Sequence, residues 1–573
     1  MKRKISLVAL AVLSCFQVVN AQSTSTTNLV VNEIMARNID MMLDPSYNYG
    51  GWIELYNPTS SAISLNGMYI SWDKNNLKLV QIPSGNGSVP AKGFKTLWFD
   101  HYDTGSEYSD KAKNQIDFKI DPEADTLYIS DKNGKLIIKQ ICPKAIARCS
   151  YARKTDGGDE WGYTYTPTQG KTNAGSIFAE EQLETPVVDK TGTVYSTGFD
   201  IRVTIPEGAT LRYTTNGSVP DLDNGSTSED GVFSIGNKKN YVYRFRLYKD
   251  GFLPSDVATH SYIYNSSSYY LPIVSVVTAS DNVYGDKIGV LVDGTNGITG
   301  RGLNGGPKSN KNRGWERPVN FELIVPNKDK EYCVALNQGF DLEVSGGWSR
   351  HFGPSPSFKL KAGKLYGEEK NYFSYPIFTQ KPYTRNKAIV VRNGGNDCEC
   401  RIVDAAIHEI LSSSGFYIDC QAYQPTHVFI NGQYKFMYNL RETSNKNYAY
   451  ANYGIDKDEI DQMEYSGGYN VKAGDDTTYR KWTSLCNDLS SNPTDDDIWN
   501  QICDLCDIDE VCNYFATQLY VGSEDWVTNN NNTKLFRDRN DGKFHFVFFD
   551  VDEAFKRTDL FSKFNANKGS QNQ

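Results

Sequence analysis

Beyond its first residues, this chain has no apolar run approaching the ~20 residues that a membrane-spanning helix needs. That excludes a helical membrane protein. It also has no basic block. Lys and Arg number 60 against 69 Asp and Glu, for a net charge of −9, which argues against a nucleic-acid partner. Histidine is scarce, with 6 scattered residues, and no HExxH pair or double CxxC pattern marks a zinc site. No single glycine-rich stretch stands out as a phosphate loop. Gly300 to Gly306 and Ser345-Gly346-Gly347-Trp348-Ser349 compete for that role.

What is present is a long globular chain. Its 573 residues predict three or four domains, and an apolar fraction of 39% with 13% aromatics supplies sizeable cores. The N-terminus reads as an export signal. Lys2, Arg3 and Lys4 precede an apolar run from Ile5 to Leu13, and Val19-Asn20-Ala21 is a small-residue cleavage site that would leave Gln22 as the mature start. Lipid attachment at Cys15 is the minor alternative. The expected location is periplasmic, cell-surface or extracellular. Ten cysteines remain after Cys15, an even number that permits disulfides in an oxidising compartment. Cys142 with Cys149 would close a small loop. Cys486, Cys503, Cys506 and Cys512 form a second cluster, the last three in a segment of helical periodicity, where burial or disulfide bonding is a simpler reading than zinc.

The densest chemistry lies in residues 521–555. Asp525 is followed by four asparagines, Asn529 to Asn532. Asn540-Asp541-Gly542 then marks a tight turn between two apolar runs. The second run, Phe544 to Phe549, reads as a buried strand ending in Asp550-Val551-Asp552. Strand alternation would put Asp550 and Asp552 on one face. Two such carboxylates require an opposing cation, and hard oxygen ligands suit magnesium. An Asp, then an Asn, then a strand-end Asp is the order in which kinases place their catalytic and metal-binding groups.

Three modules are expected after the signal at 1–21. Residues 28–175 show short apolar runs between turn clusters, the pattern of a β-sandwich. Within them Asn32-Glu33-Ile34-Met35-Ala36, Trp52-Ile53-Glu54-Leu55-Tyr56-Asn57 and Leu65-Asn66-Gly67-Met68-Tyr69-Ile70 resemble the lamin-tail domain of secreted bacterial proteins. Glu33 and Glu54 are expected to be structural hydrogen-bond acceptors there. Residues 183–265 carry Leu211-Arg212-Tyr213-Thr214-Thr215-Asn216-Gly217-Ser218-Val219-Pro220, which resembles the small fibronectin-like domain at the C-terminal end of chitobiase-type enzymes. The association brings surface or carbohydrate contact as an expectation, although no aromatic platform is legible.

Residues 270–573 turn to α+β. Ser357-Phe358-Lys359-Leu360-Lys361, Val391-Arg392-Asn393-Gly394-Gly395-Asn396, Arg401 with Asp404, Phe429-Ile430-Asn431-Gly432-Gln433-Tyr434 and Tyr438-Asn439-Leu440-Arg441-Glu442 occur in order. With Asp525 and Phe549-Asp550-Val551-Asp552, they resemble the CotH kinase family, spore coat protein H-like atypical protein kinases. The fold expected is therefore multidomain: two all-β immunoglobulin/fibronectin-like sandwiches followed by an α+β atypical protein-kinase-like domain.

That resemblance implies ATP and magnesium as cofactors and a protein acceptor. It makes Asp525 the catalytic acid, Asp550 the main metal ligand and Asp552 its companion. The metal-binding asparagine is Asn530 by kinase spacing or Asn532 by position before the next strand. Lys359 and Lys361 alternate with the apolar Phe358, Leu360 and Ala362, so both face one side, and one of them would hold phosphate. Lys361 is the first choice. Glu409 would pair with that lysine. Glu442 sits where the chain links two lobes and would approach adenine. The chain ends soon after Asp552, which reads as a shortened lobe. Three functions compete: an exported kinase acting on Ser/Thr hydroxyls, a non-catalytic adhesion or scaffold protein, and another ATP-dependent group transfer such as AMPylation.

Overall fold

The computed structural model describes residues 28–100, 112–300, 306–353, 355–381, 383–466, 468–523, 525–526, 531–540, 542–556 and 559. The expected signal at 1–21, Cys15, Asn530 and most of the Gly300 to Gly306 stretch lie outside them. The described chain is mostly β, with many sheets and few helices.

The first module packs a six-stranded sheet against a four-stranded one over a common core of Val31, Ile53, Leu97, Ile70 and Ile129. Alternation supplies that core, because every second side chain of a strand faces the same way. In the paired strands Val30–Met35 and Gly51–Tyr56, Glu33 stands opposite Glu54, and both are buried. Glu33 accepts from Ser150 Oγ, Thr168 N and Thr168 Oγ1. Glu54 accepts from Gly170 N and Asn32 Nδ2. Both carboxylates therefore tie the sheet to the 166–173 loop. The second module is a five-stranded sheet with a two-stranded ribbon around Ile201, Phe233, Phe245 and Tyr262.

The third region has two parts. Seven strands close into a barrel: β1 Ile273–Val277, β2 Arg317–Pro326, β3 Tyr332–Val344, β4 Phe358–Lys361, β5 Ala388–Arg392, β6 Tyr423–Ile430 and β7 Gln433–Glu442. Its interior is filled by Phe321, Phe340, Phe358, Leu360, Val391 and Leu440. Helix α1, Val403–Ser414, follows β5 and packs Val403, Ile407 and Leu411 into the core of the second part. The second part is a sheet of β8 Ile460–Tyr465, β9 Tyr469–Ala473, β10 Thr533–Asp538 and β11 His545–Phe548, with the short strand Asp419–Cys420 at its edge. Helices α2 Lys446–Tyr453, α3 Thr477–Ser491, α4 Asp496–Leu505 and α5 Ile508–Val521 accompany it. Asp495 and Asp507 cap α4 and α5 with their side chains, as N-cap acids do.

Both β modules are docked on the barrel. Trp315, almost wholly buried, donates its indole N–H to Ser46 O of the first module at 2.8 Å. Thr193 Oγ1 of the second donates to Tyr332 O at 2.8 Å. The ten cysteines from Cys142 to Cys512 are free thiols, so the disulfides that the even count allowed are not formed. Cys142 instead sits in the core of the first module, and Cys506 in that of the second lobe.

Candidate active site

The site begins with register. In an antiparallel sheet, opposed residues share a face. Lys359 of β4 lies opposite Glu343 of β3 and Val390 of β5, and Val390 lies opposite Arg441 of β7. Arg392 is two residues beyond Val390 and opposite Asn439. Because Phe358, Leu360 and Val391 fill the barrel, this whole set points outward. A polar strip of Glu343, Lys359, Arg392 and Arg441 thus runs across the barrel exterior toward the second lobe.

The second lobe answers with carboxylates. Nη2 of Arg392 lies 2.5 Å from Asp550 Oδ1 and 2.7 Å from Asp552 Oδ2. Asp552 also accepts from Asn396 N at 2.9 Å. Asp404 of α1 sits between the lobes. Its Oδ2 is 3.0 Å from Arg441 Nη2, and its Oδ1 accepts from Val551 N at 3.1 Å. Burial would raise the Asp404 carboxyl, but Arg441 and Arg392 draw it well below the usual carboxylate range. For Asp552 the balance goes the other way. Burial, and then the Asp550 charge, push it up to about 7 against the pull of Arg392.

Asp550 and Asp552 do come together, but not by strand alternation. Strand β11 stops at Phe548, and Asp550 has φ of +58°, a left-handed turn that Asp tolerates better than most residues. The turn aims both carboxylates at one guanidinium. Arg392 and Asp404, quoted in the sequence motifs without a role, are the residues that organise the acids. The signal that would have found them is the alternation in β5, which puts Arg392 outside a strand whose Ile389 and Val391 are core.

Asp525 follows α5, beside the buried Trp526, whose indole donates to Tyr514 OH at 3.1 Å. Its Oδ2 accepts from Asn531 Nδ2 at 2.8 Å and Asn532 Nδ2 at 3.2 Å. Asn532 has φ of +49° and also donates to Asp525 O at 2.9 Å. Phe555 N donates to Val521 O at 2.6 Å, tying the chain just past Asp552 to the end of the helix before Asp525.

The two lysines differ. Lys361 is held by Glu316 at 2.7 Å and Glu343 at 2.5 Å. Lys359 makes no ion pair among the described residues, and its charge helps lower Lys534, a residue already depressed chiefly by burial. Lys534 reaches Ser444 Oγ at 2.9 Å and lies 4.5 Å from the Phe549 ring centre. Both strand lysines line a cavity of about 580 Å³, together with Lys387 and Asn447 from this region and Lys119 and Asp121 from the first module.

Two expectations are corrected. Glu409 pairs with neither lysine. It is an outward residue of α1, accepting from Tyr423 OH at 3.2 Å and Ser413 Oγ at 3.0 Å. The acids on Lys361 come from β3 and from the chain just before β2, because α1 presents Asp404, not Glu409, to the barrel. Glu442 is not available to a ligand. It is buried, and its carboxylate is taken by Ala422 N at 2.6 Å, Lys381 at 3.5 Å, Asn452 at 3.2 Å and Tyr383 OH.

Residues 342–573 match the family model described as CotH kinase protein. Among curated proteins, none matches the chain. Of solved structures, the sialic acid binding region of a Streptococcus Sanguinis SK1 adhesin bound to 3'sLn is similar at 11% identity. It covers 50% of this chain and 91% of its own, but a TM-score of 0.10 gives it no weight on fold or ligand.

Proposed function

We propose that this is an exported atypical protein kinase that transfers the γ-phosphoryl group of ATP to Ser or Thr hydroxyls of secreted or surface proteins. The observation that carries the reading is the convergence of Asp550 and Asp552 beside the outward strip of Lys359 and Arg392, in a segment that matches the CotH family model. In this reading residues 28–175 are a lamin-tail-like module, 183–265 a chitobiase-type β domain and 270–573 the catalytic unit.

The donor set fits magnesium. Two carboxylates suffice for an ion that takes its remaining ligands from phosphate and water. Burial first, and then repulsion from Asp550, raise Asp552, and a second cation would relieve that repulsion. When bound, magnesium would neutralise charge on the β- and γ-phosphates. The protein's own residues do the rest. Lys359, with no carboxylate partner among the described residues, is the better phosphate ligand of the two strand lysines, in preference to Lys361. Arg392 holds the two acids in place. Asp525, oriented by Asn531 and Asn532, accepts the hydrogen bond of an acceptor hydroxyl and aligns it for attack.

A scaffold reading has one observation in its favour: Arg392 already satisfies both acids, as a permanent internal cation would. Thermal unfolding of residues 22–573 with ATP, with and without magnesium, separates the two. Ligand at about 100 times its Kd adds ~2.7 kcal/mol of stability. The kinase reading expects that gain only with magnesium and not in Asp550→Ala. A folded protein that shows no gain at millimolar ATP leaves the scaffold reading. The mass added to an acceptor then distinguishes phosphoryl from nucleotidyl transfer.

A further inference from the structure

A second cavity, of about 340 Å³, lies where both β modules meet the barrel. Its wall takes Arg148 from the first module, Arg244, Thr259 and His260 from the second, and Asn337 and Lys370 from the barrel region. That volume lies within the range of small-ligand sites.

Its charges do not balance. Arg148 is satisfied, with Nε and Nη2 donating to the two oxygens of Asp40 at 2.6 and 2.7 Å. The remaining carboxylate of the lining, Asp256, acts on Arg148 as well. Arg244 is buried, and its hydrogen bond goes to a neutral carbonyl, Gly217 O, at 2.9 Å. Its Nε has no partner among the described residues. Burial, and then the Arg148 charge, press its guanidinium down to about 10, with Arg246 adding to the repulsion and only the occupied Asp40 opposing it. A buried charge without a counter-ion is expensive, and arginine does not escape by losing its proton at neutral pH.

Two more polar atoms of residues lining this cavity are buried without partners among the described residues: Thr259 Oγ1 and His260 Nδ1. Burial holds the His260 imidazole down to about 4, so it is neutral. Its Nδ1 is 4.0 Å from Glu322 Oε1, and burial raises that carboxyl to about 8, so no full negative charge compensates the site from there. What the wall offers is a guanidinium and a hydroxyl, set opposite each other on paired strands of the second module and faced by residues of the first module and the barrel region.

We propose that this three-module junction binds a small oxyanion, the carboxylate or phosphate group of a ligand sized to the cavity, with Arg244 as counter-ion and Thr259, its cross-strand neighbour, as hydrogen-bonding partner. Such a ligand would reinforce the docking of both β modules on the barrel.

The test is calorimetric titration of the full mature chain with sodium phosphate and, separately, sodium citrate, against sodium chloride at matched ionic strength. Wild type is compared with Arg244→Lys, Thr259→Val and Lys359→Ala. Saturable binding of one oxyanion is expected, weakened about tenfold in Thr259→Val, the loss of one strong hydrogen bond. Arg244→Lys should weaken it further, and Lys359→Ala, which alters the other cavity, should leave it unchanged. Phosphate or citrate acting alone identifies the group. If Arg244→Lys does not fold, Thr259→Val carries the decision. No saturable binding, or binding equal in wild type and both junction variants, would overturn the proposal and leave water as the partner of these atoms. Binding lost only in Lys359→Ala would overturn it too, placing the anion in the other cavity.

Discussion

The guanidinium of Arg392 stands 2.5 Å from Asp550, on a strand 158 residues earlier in the chain. Without another cation, it is Arg392 that neutralises the acid pair where barrel and second lobe meet. Removing one partner of a buried ion pair typically costs ~3–5 kcal/mol, because the other charge is stranded. Arg392 is partly exposed, so Arg392→Gln should fall at or below the low end of that range. Urea unfolding measures the loss. If the acids bind magnesium, a millimolar magnesium salt should restore part of the lost stability in Arg392→Gln and less in the double variant with Asp550→Asn. Equal magnesium effects in both would remove the acid pair as the metal site.

The Asp552 carboxyl is pushed up to about 7 by burial first and the Asp550 charge second. A proton there competes with any metal. Below pH 7 Asp552 is mostly protonated, and above it ionised. Magnesium-dependent nucleotide affinity should therefore strengthen as pH rises from 6 to 8, by up to about tenfold per pH unit on the acid side. The check is titration of nucleotide at fixed magnesium across that range. In Asp552→Asn the slope should flatten. A slope that survives the substitution assigns the titration elsewhere.

Lys359 and Lys361 share a face and differ in company, so their substitutions should separate binding from stability. Lys361 holds Glu316 and Glu343, and Lys361→Ala strands Glu343 while leaving Glu316 to Lys119 alone. It should lower stability by about 1–3 kcal/mol. Lys359 has no such partner among the described residues, and Lys359→Ala should leave unfolding within about 0.5 kcal/mol of wild type. It should still weaken nucleotide binding at least tenfold if Lys359 is the phosphate ligand. Parallel denaturation and nucleotide titration decide the matter. The reverse pattern would return the role to Lys361.

Much of the frame was legible because period-2 alternation encodes which side of a strand is core. It placed Lys359 and Lys361 together outside Phe358 and Leu360, and the apolar run before Asp550 as a buried strand. The helix holding Glu409 was also legible. What failed was rotation and partner choice. Helical spacing showed that the segment from Ile402 was a helix, yet which acid faced the barrel depended on where Arg441 and Arg392 would stand. Those positions are set by cross-strand register over dozens of residues. Glu442 was misread for a similar reason: its four partners come from segments that only the closed barrel brings together. Asp550 shows the remaining gap. The strand rule predicted the right neighbour, Asp552, through the wrong geometry, since a left-handed turn rather than an extended strand presents the pair.

Glu33 and Glu54 offer a test in a different module. They face each other across two central strands, both shut away from water. Burial, with the Glu33 charge adding to it, lifts Glu54 to about 8 against the hydrogen bond from Gly170. Burial also raises Glu33. A carboxyl whose folded value exceeds its unfolded value binds more protons when folded. Its protonation therefore favours the native state below pH ~4.5, and that advantage is lost as pH climbs through about 8. Other buried acids, Glu322 among them, tilt the same way. The midpoint of thermal unfolding should consequently fall between pH 5 and pH 8. Glu54→Gln keeps a neutral acceptor for the Gly170 amide and removes the titration, so it should gain on wild type at pH 8 and lose that advantage at pH 5. Calorimetric scans of both proteins at the two pH values test this. Should Glu54→Gln instead be equally destabilised at both, the carboxylate is held ionised by the loop amides, and the loop, rather than the proton, stabilises the pair.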